Sequence, residues 1–195
     1  MNNQALIPGS QIIPGSLSAI ARHQNQSLAQ SWLSVEVLLI VDVSGSMLSP
    51  DAPGGRKRYD VAVEELKRLQ AEMPGKIGVV AFSDSVQFCP SGHPTGSFGN
   101  TNMAHALEFV KPADDTGVRF ILISDGVPDS EEKTLSVART FKTHIDTIYI
   151  GPERDQGGRE FLKRLAEASG GQFVQSEKIA ELAAPVLKLL ESARR

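Results

Sequence analysis

The sequence predicts an α/β fold of the doubly wound kind: a six-stranded, mostly parallel sheet flanked by helices on both faces. Short, nearly continuous apolar runs rich in branched residues recur at residues 35–41, 77–82, 118–123 and 145–150, with a weaker one at 172–175. Such runs fit strands covered on both sides, since a sheet with one wet face alternates polar and apolar residues. Between them, at 59–73, 102–110, 130–142 and 159–168, apolar residues repeat at helical spacing, and this alternation is the pattern of a sheet built from strand-helix-strand crossovers. Residues 86–88 follow the second run after only Ser83, Asp84 and Ser85. Three residues are too few for a crossover, so this segment is expected as an antiparallel edge strand.

Taken in order, residues 1–33 are rich in Gln, Asn, Ser, Gly and Pro and contain one helical candidate, 17–32. They are read as an N-terminal extension to a domain spanning residues 34–195. The first strand leads through a loop carrying Asp51 and the triplet Arg56-Lys57-Arg58; Asp51 is expected to form a turn and the triplet to be a solvated loop. Thr101 sits where a helix N-cap is needed, and Asp129 with Glu132 has the spacing of a capping box for a helix starting near Ser130. At the end, Ile179, Leu182, Ala183, Val186, Leu187 and Leu190 fall on one helical stripe. Pro185 interrupts it and is expected to kink the helix or start a new one.

The 195 residues suffice for one sizeable core, and 41% hydrophobic with 22% charged residues is ordinary for a globular protein. A net charge of -3 gives no electrostatic footprint for nucleic acid. Cys89 is the single cysteine, so no internal disulfide framework exists and a reducing compartment fits best. The apolar pairs near the N-terminus are broken by Pro8 and Pro14, unlike a signal peptide, and no apolar run is long enough to span a bilayer. A cytoplasmic location is expected.

In open α/β sheets ligands sit beyond the carboxyl ends of the strands. The first run is followed by Asp42-Val43-Ser44-Gly45-Ser46-Met47; residues two apart share a face in extended chain, so Asp42, Ser44 and Ser46 can converge while Gly45 permits a sharp turn. The fourth strand ends in Ser124-Asp125-Gly126, and Thr101 opens a helix. Two Asp, two Ser and one Thr form an all-oxygen set, suited to a hard cation such as Mg2+ and poorly suited to zinc or copper.

Asp42-Val43-Ser44-Gly45-Ser46 together with Thr101 and Asp125 resembles the metal-ion-dependent adhesion site (MIDAS) of von Willebrand factor A (VWA) domains, the resemblance covering about residues 35–193. It implies a strand order of 3-2-1-4-5-6 with the third strand antiparallel. It also implies that Ser44, Ser46 and Thr101 bind Mg2+ (or Mn2+ or Ca2+) directly, while Asp42 and Asp125 hold its waters or bind it in some states. Mainly neutral direct ligands leave the cation much of its charge, so an Asp or Glu carboxylate from a protein partner can complete its shell. Loops 48–57, 84–99 and 126–130 would rim the site. The resemblance further implies a binding module and not an enzyme: an intracellular adaptor or scaffold, as in bacterial stand-alone domains that work with AAA+ ATPases. Asn100 departs from the glycine that often precedes the threonine.

The competing reading is a haloacid dehalogenase-like magnesium-dependent phosphatase, with Asp42 as nucleophile and Asp125 and Asp129 as a late acidic pair. Against it, Ser44 stands where those enzymes place a second Asp as acid and base, and a serine cannot do that work near neutral pH. A serine hydrolase lacks both the Gly-x-Ser-x-Gly elbow and a placed histidine. Cys89 and His93, four apart, are too few for a zinc site.

Overall fold

The computed structural model describes residues 12–52, 54–96, 99–152, 155–175 and 183–192. Six strands, β1 (Val37–Asp42), β2 (Ile77–Phe82), β3 (Val86–Phe88), β4 (Arg119–Ser124), β5 (Ile145–Tyr149) and β6 (Phe173–Gln175), form one sheet in the order β3-β2-β1-β4-β5-β6. Only β3 runs antiparallel, against β2; every other pairing is parallel. The three-residue connection before β3 is therefore the hairpin its length demanded.

The two central strands explain their own composition. Every residue of β1 and β2 is buried, because helices cover both faces and β1 is flanked by β2 and β4. Alternate side chains divide between two cores, as the period of two requires. Val37, Leu39 and Val41 pack with Val61, Leu66 and Leu69 of α3 (Arg58–Glu72) and with Val186 and Leu189 of α7 (Ala183–Ser192). Leu38 and Ile40 face Leu107 of α4 (Met103–Val110), Ala138 of α5 (Glu131–Ala138) and Phe161 and Leu165 of α6 (Gln156–Ser169).

The extension is two short helices instead of one. α1 (Leu17–His23) and α2 (Leu28–Trp32) are separated at Asn25, whose φ of 52° ends the first, and Ser27, which starts the second in a reciprocal capping box with Gln30. Ile13 and Leu17 are buried, the Ser18 N–H donates to the Pro90 carbonyl, and Trp32 meets Phe88 edge-on at 5.2 Å. Gly15, at φ 82°, lies so close to α3 that a Cβ would sit 2.1 Å from the Gln70 carbonyl oxygen. These contacts lie toward the amino ends of the strands, away from the sheet end that carries the candidate site.

One further helix differs from expectation for an identifiable reason. α5 stops at Ala138, short of residue 142, because the Asp114 carboxylate takes the Lys142 and Thr143 N–H groups at 2.7 and 2.9 Å while Phe141 turns inward against Phe120. Pro185 falls near the start of α7, in keeping with a helix that begins there, since a missing N–H in the first turn costs no intrahelical bond. The Ala183 N–H at the start of that helix donates to the buried Glu65 carboxylate at 3.1 Å. Ile179 and Leu182 of the expected stripe lie outside the described residues. Among the described residues no helix is long and apolar enough to cross a membrane.

Candidate metal centre

β1 delivers Asp42 to the carboxyl end of the sheet, fully buried. Its Oδ1 accepts the Ser44 N–H at 2.8 Å, the turn bond that swings the chain out of the strand, and its Oδ2 accepts the Ser124 hydroxyl at 2.6 Å. Burial pushes the Asp42 carboxyl up to about 6; the Ser124 and Ser44 hydrogen bonds pull it back part of the way, and the neighbouring Asp125 charge raises it further.

After Ser44 the chain enters a short 3-10 turn, Gly45–Leu48. The turn brings the Ser44 and Ser46 hydroxyl oxygens to 3.1 Å, and Ser46 donates to Asp125 Oδ1 at 2.7 Å. Since the Ser46 proton is committed to Asp125, Ser44 is the donor in the hydroxyl pair, and the Ser46 oxygen keeps lone-pair capacity. Asp42, Ser44 and Asp125 are buried whereas Gly45 and Ser46 are exposed, so the constellation opens to solvent on one side.

Loop 99–101 is stitched to this turn by the Gly45 N–H, which donates to the Gly99 carbonyl at 3.0 Å. Thr101 is half-buried. It is not the N-cap: Asn102 caps α4 by accepting the His105 N–H, because its side chain lies one residue nearer the first helical turn. Asp129 is likewise not in a capping box. Ser130 caps α5, and the Asp129 carboxylate accepts the Thr101 N–H at 3.0 Å while the Asp129 N–H donates to the Thr101 carbonyl at 3.0 Å. Thr101 is thus clamped by its backbone. Asp84 does the same for Asn100, accepting its N–H at 3.1 Å, and packs where a side chain on Gly99 would have to go.

The five residues Asp42, Ser44, Ser46, Thr101 and Asp125 therefore lie on adjoining, mutually bonded segments. Their chemistry fits a hard divalent cation. With metal-oxygen distances of about 2.1 Å, neighbouring corners of a magnesium octahedron are about 3.0 Å apart, close to the spacing of the two serine oxygens. Among the described residues no group of three or more His, Cys, Asp or Glu side chains is arranged to hold a metal, so hydroxyls would have to supply much of the donor set. Cys89 is buried with its thiol pushed up to about 11 by burial, and His93 Nδ1 lies against the Pro94 carbonyl at 2.7 Å. The Asp129 carboxylate is spent on the Thr101 N–H, whereas Asp125 is engaged by Ser46 and Arg58.

Three further residues take part, of which only Asp51 lay in a loop expected to rim the site. Ser124 anchors Asp42. Arg58, expected in solvent, is only 7% exposed and binds Asp125 Oδ2 through Nη1. Asp51, expected as a turn residue, holds the same guanidinium through Nε at 2.8 Å and through Nη2. The signal that could have found Arg58 is its place at the first position of an amphipathic helix, one turn before Val61 and Ala62, both buried.

No protein-family model matches the chain, and no curated protein matches it in sequence. Solved structures do match in fold. A structure of an aerotolerance-related membrane protein from Bacteroides fragilis superposes with a TM-score of 0.60 at 13% identity, over 81% of this chain and 99% of that one. A von Willebrand factor type A structure from Catenulispora acidiphila gives 0.58 at 18% identity, over 80% and 42% of the two chains. The manganese-loaded TRAP protein of Plasmodium vivax gives 0.56 at 17% identity, over 80% and 73%.

Proposed function

We propose that this chain, which has a von Willebrand factor A-like fold, is a protein-interaction module that grips its partner through a divalent cation. The observation that carries the reading is the convergence of Ser44 and Ser46, 3.1 Å apart, between the carboxylates of Asp42 and Asp125 at the carboxyl ends of adjacent strands. Ser44, Ser46 and Thr101 are the direct ligands; Asp42 fixes the Ser44 backbone, Asp125 orients the Ser46 hydroxyl, and both carboxylates hold water. Bound there, Mg2+, or Mn2+ or Ca2+, supplies a concentrated positive charge with an exchangeable position for an Asp or Glu carboxylate of the partner.

The chain's own residues prepare this. Asp125 accepts the Ser46 O–H and so leaves lone-pair capacity on that oxygen for a cation, while Asp129 fixes the Thr101 backbone. The exposed Val127 and Asp129 lie on the rim, where contacts beyond the carboxylate would select the partner. Support for a cation also comes from the manganese-loaded state of one structure of like fold. The setting we propose is a cytoplasmic adaptor or scaffold in a multi-protein or AAA+ ATPase-associated system; it rests on the fold resemblance and on the single, buried Cys89.

Calorimetric titration of Mg2+, Mn2+ and Ca2+ into chelator-treated protein tests the reading. One saturable site is expected, lost in a folded Ser44→Ala/Ser46→Ala variant. Equal binding by that variant, or none by the parent at millimolar cation, would overturn it.

A further inference from the structure

Arg58 is the first residue of α3, where the helix dipole opposes a positive charge. It is nevertheless buried, and its guanidinium is spread over two carboxylates: Nε and Nη2 on Asp51, Nη1 on Asp125. Asp125, whose side chain is inaccessible to solvent, is thereby satisfied twice, by Ser46 on one oxygen and Arg58 on the other. A buried carboxylate without a counter-charge would be costly, so the arginine does for Asp125 what a bound cation would also do.

We propose that Arg58 is a positioning residue that stands in for the divalent cation at this site and sets its affinity. The inference rests on the cation reading above. Arg58 neutralises one of the two site carboxylates in advance, and a cation entering beside Asp42, Ser44 and Ser46 meets a fixed positive charge on the far side of Asp125. Binding therefore favours a state in which the guanidinium withdraws from Asp125 and remains on Asp51. The Asp51 side chain is 43% exposed, on the rim loop before α3. The Ala52–Arg56 bridge and the Arg56–Glu64 ion pair hold that loop to the body of the helix, so the movement stays local to the edge where a partner docks. Cation occupancy and rim shape are in this way linked through one side chain.

The test is calorimetric titration of Mn2+ and Mg2+ into the full chain and into Arg58→Gln and Arg58→Lys variants at one ionic strength. Arg58→Gln is expected to bind about tenfold tighter or more than the parent, although its metal-free melting temperature falls. Arg58→Lys, which keeps the charge, is expected to stay close to the parent. A residue with a merely structural role would lower stability and leave affinity unchanged or weaker; that result in a folded Arg58→Gln, with the parent binding normally, overturns the inference. If Arg58→Gln does not fold, the Arg58 Nε–Hε resonance of the parent, assigned by its loss in Arg58→Lys, gives the answer: it is expected to shift on saturation with Mg2+, and an unmoved signal overturns the inference. If neither parent nor variants bind a cation, the cation reading itself fails and this inference falls with it.

Discussion

Replacing Asp42 by Asn should stabilise the metal-free protein while abolishing cation binding. The Asp42 carboxyl is raised from 3.8 to about 6, chiefly by burial. A folded-state value above the unfolded one means that the stability tied to this group is full below about pH 4 and lost as pH rises through about 6. Two units at about 1.4 kcal/mol each put the cost of the ionised carboxylate near pH 7.5 at about 3 kcal/mol. An asparagine keeps both contacts, since its Oδ1 can accept the Ser44 N–H and its Nδ2 can donate to the Ser124 hydroxyl. Allowing for imperfect fit, Asp42→Asn should gain about 1–3 kcal/mol at pH 7.5, about 2–4 °C in melting temperature for each kcal/mol. Urea denaturation of both proteins with a chelator present, at pH 5 and 7.5, measures it. The gain should be smaller at pH 5. A folded variant no more stable than the parent at pH 7.5, or one with the same advantage at both pH values, would refute the reasoning that the charge at Asp42 is carried at the expense of the fold for the sake of a ligand.

Other outcomes follow from the same geometry. Asp129→Ala should weaken cation binding without touching the cation, because the Thr101 N–H loses its acceptor; titration should show the loss, and the exposed position predicts a stability change below about 1 kcal/mol. Asp114 is subject to burial, which raises its carboxyl, but the Lys111 ion pair and the Lys142 and Thr143 N–H groups outweigh it and bring it to about 2. Its contribution is therefore present above about pH 4 and lost as pH falls toward 2, so Asp114→Asn should cost about 2 kcal/mol at pH 7 and flatten the acid limb of the stability curve. In Gly171→Ala the new methyl would lie 2.1 Å from the Ile145 carbonyl oxygen, and chemical denaturation should show a loss of about 1–3 kcal/mol.

Much of the fold was legible because burial leaves a mark on every residue of a central strand. The runs at 77–82 and 145–150 match β2 and β5 to within one residue, and the nearly continuous apolar character of 35–41 anticipated a strand covered on both faces. The helix covering 59–73 was equally plain. Boundaries were less so wherever a side chain from elsewhere competes for backbone donors, as Asp114 does at the end of α5. The break between α1 and α2 depends on a capping box at Ser27 and Gln30 inside a polar stretch that reads as one helix by periodicity.

At the site, the sequence alone supplied the proposed donor set. Asp42, Ser44 and Ser46 are neighbours whose convergence follows from strand geometry and a turn at Gly45, and such local relations need no knowledge of the rest of the chain. What tertiary structure decided is how those donors are satisfied. Arg58 and Asp125 are 67 positions apart, Thr101 and Asp129 are 28 apart, and Asp42 and Ser124 are 82 apart. A basic triplet in a loop and an acid beside a helix start look in sequence like solvated charges and caps. Only the parallel pairing of β1 with β4, and the placement of the start of α3 over their carboxyl ends, brings the guanidinium onto a buried carboxylate, because the cost of leaving that charge unpaired exists only once the chain around it is folded.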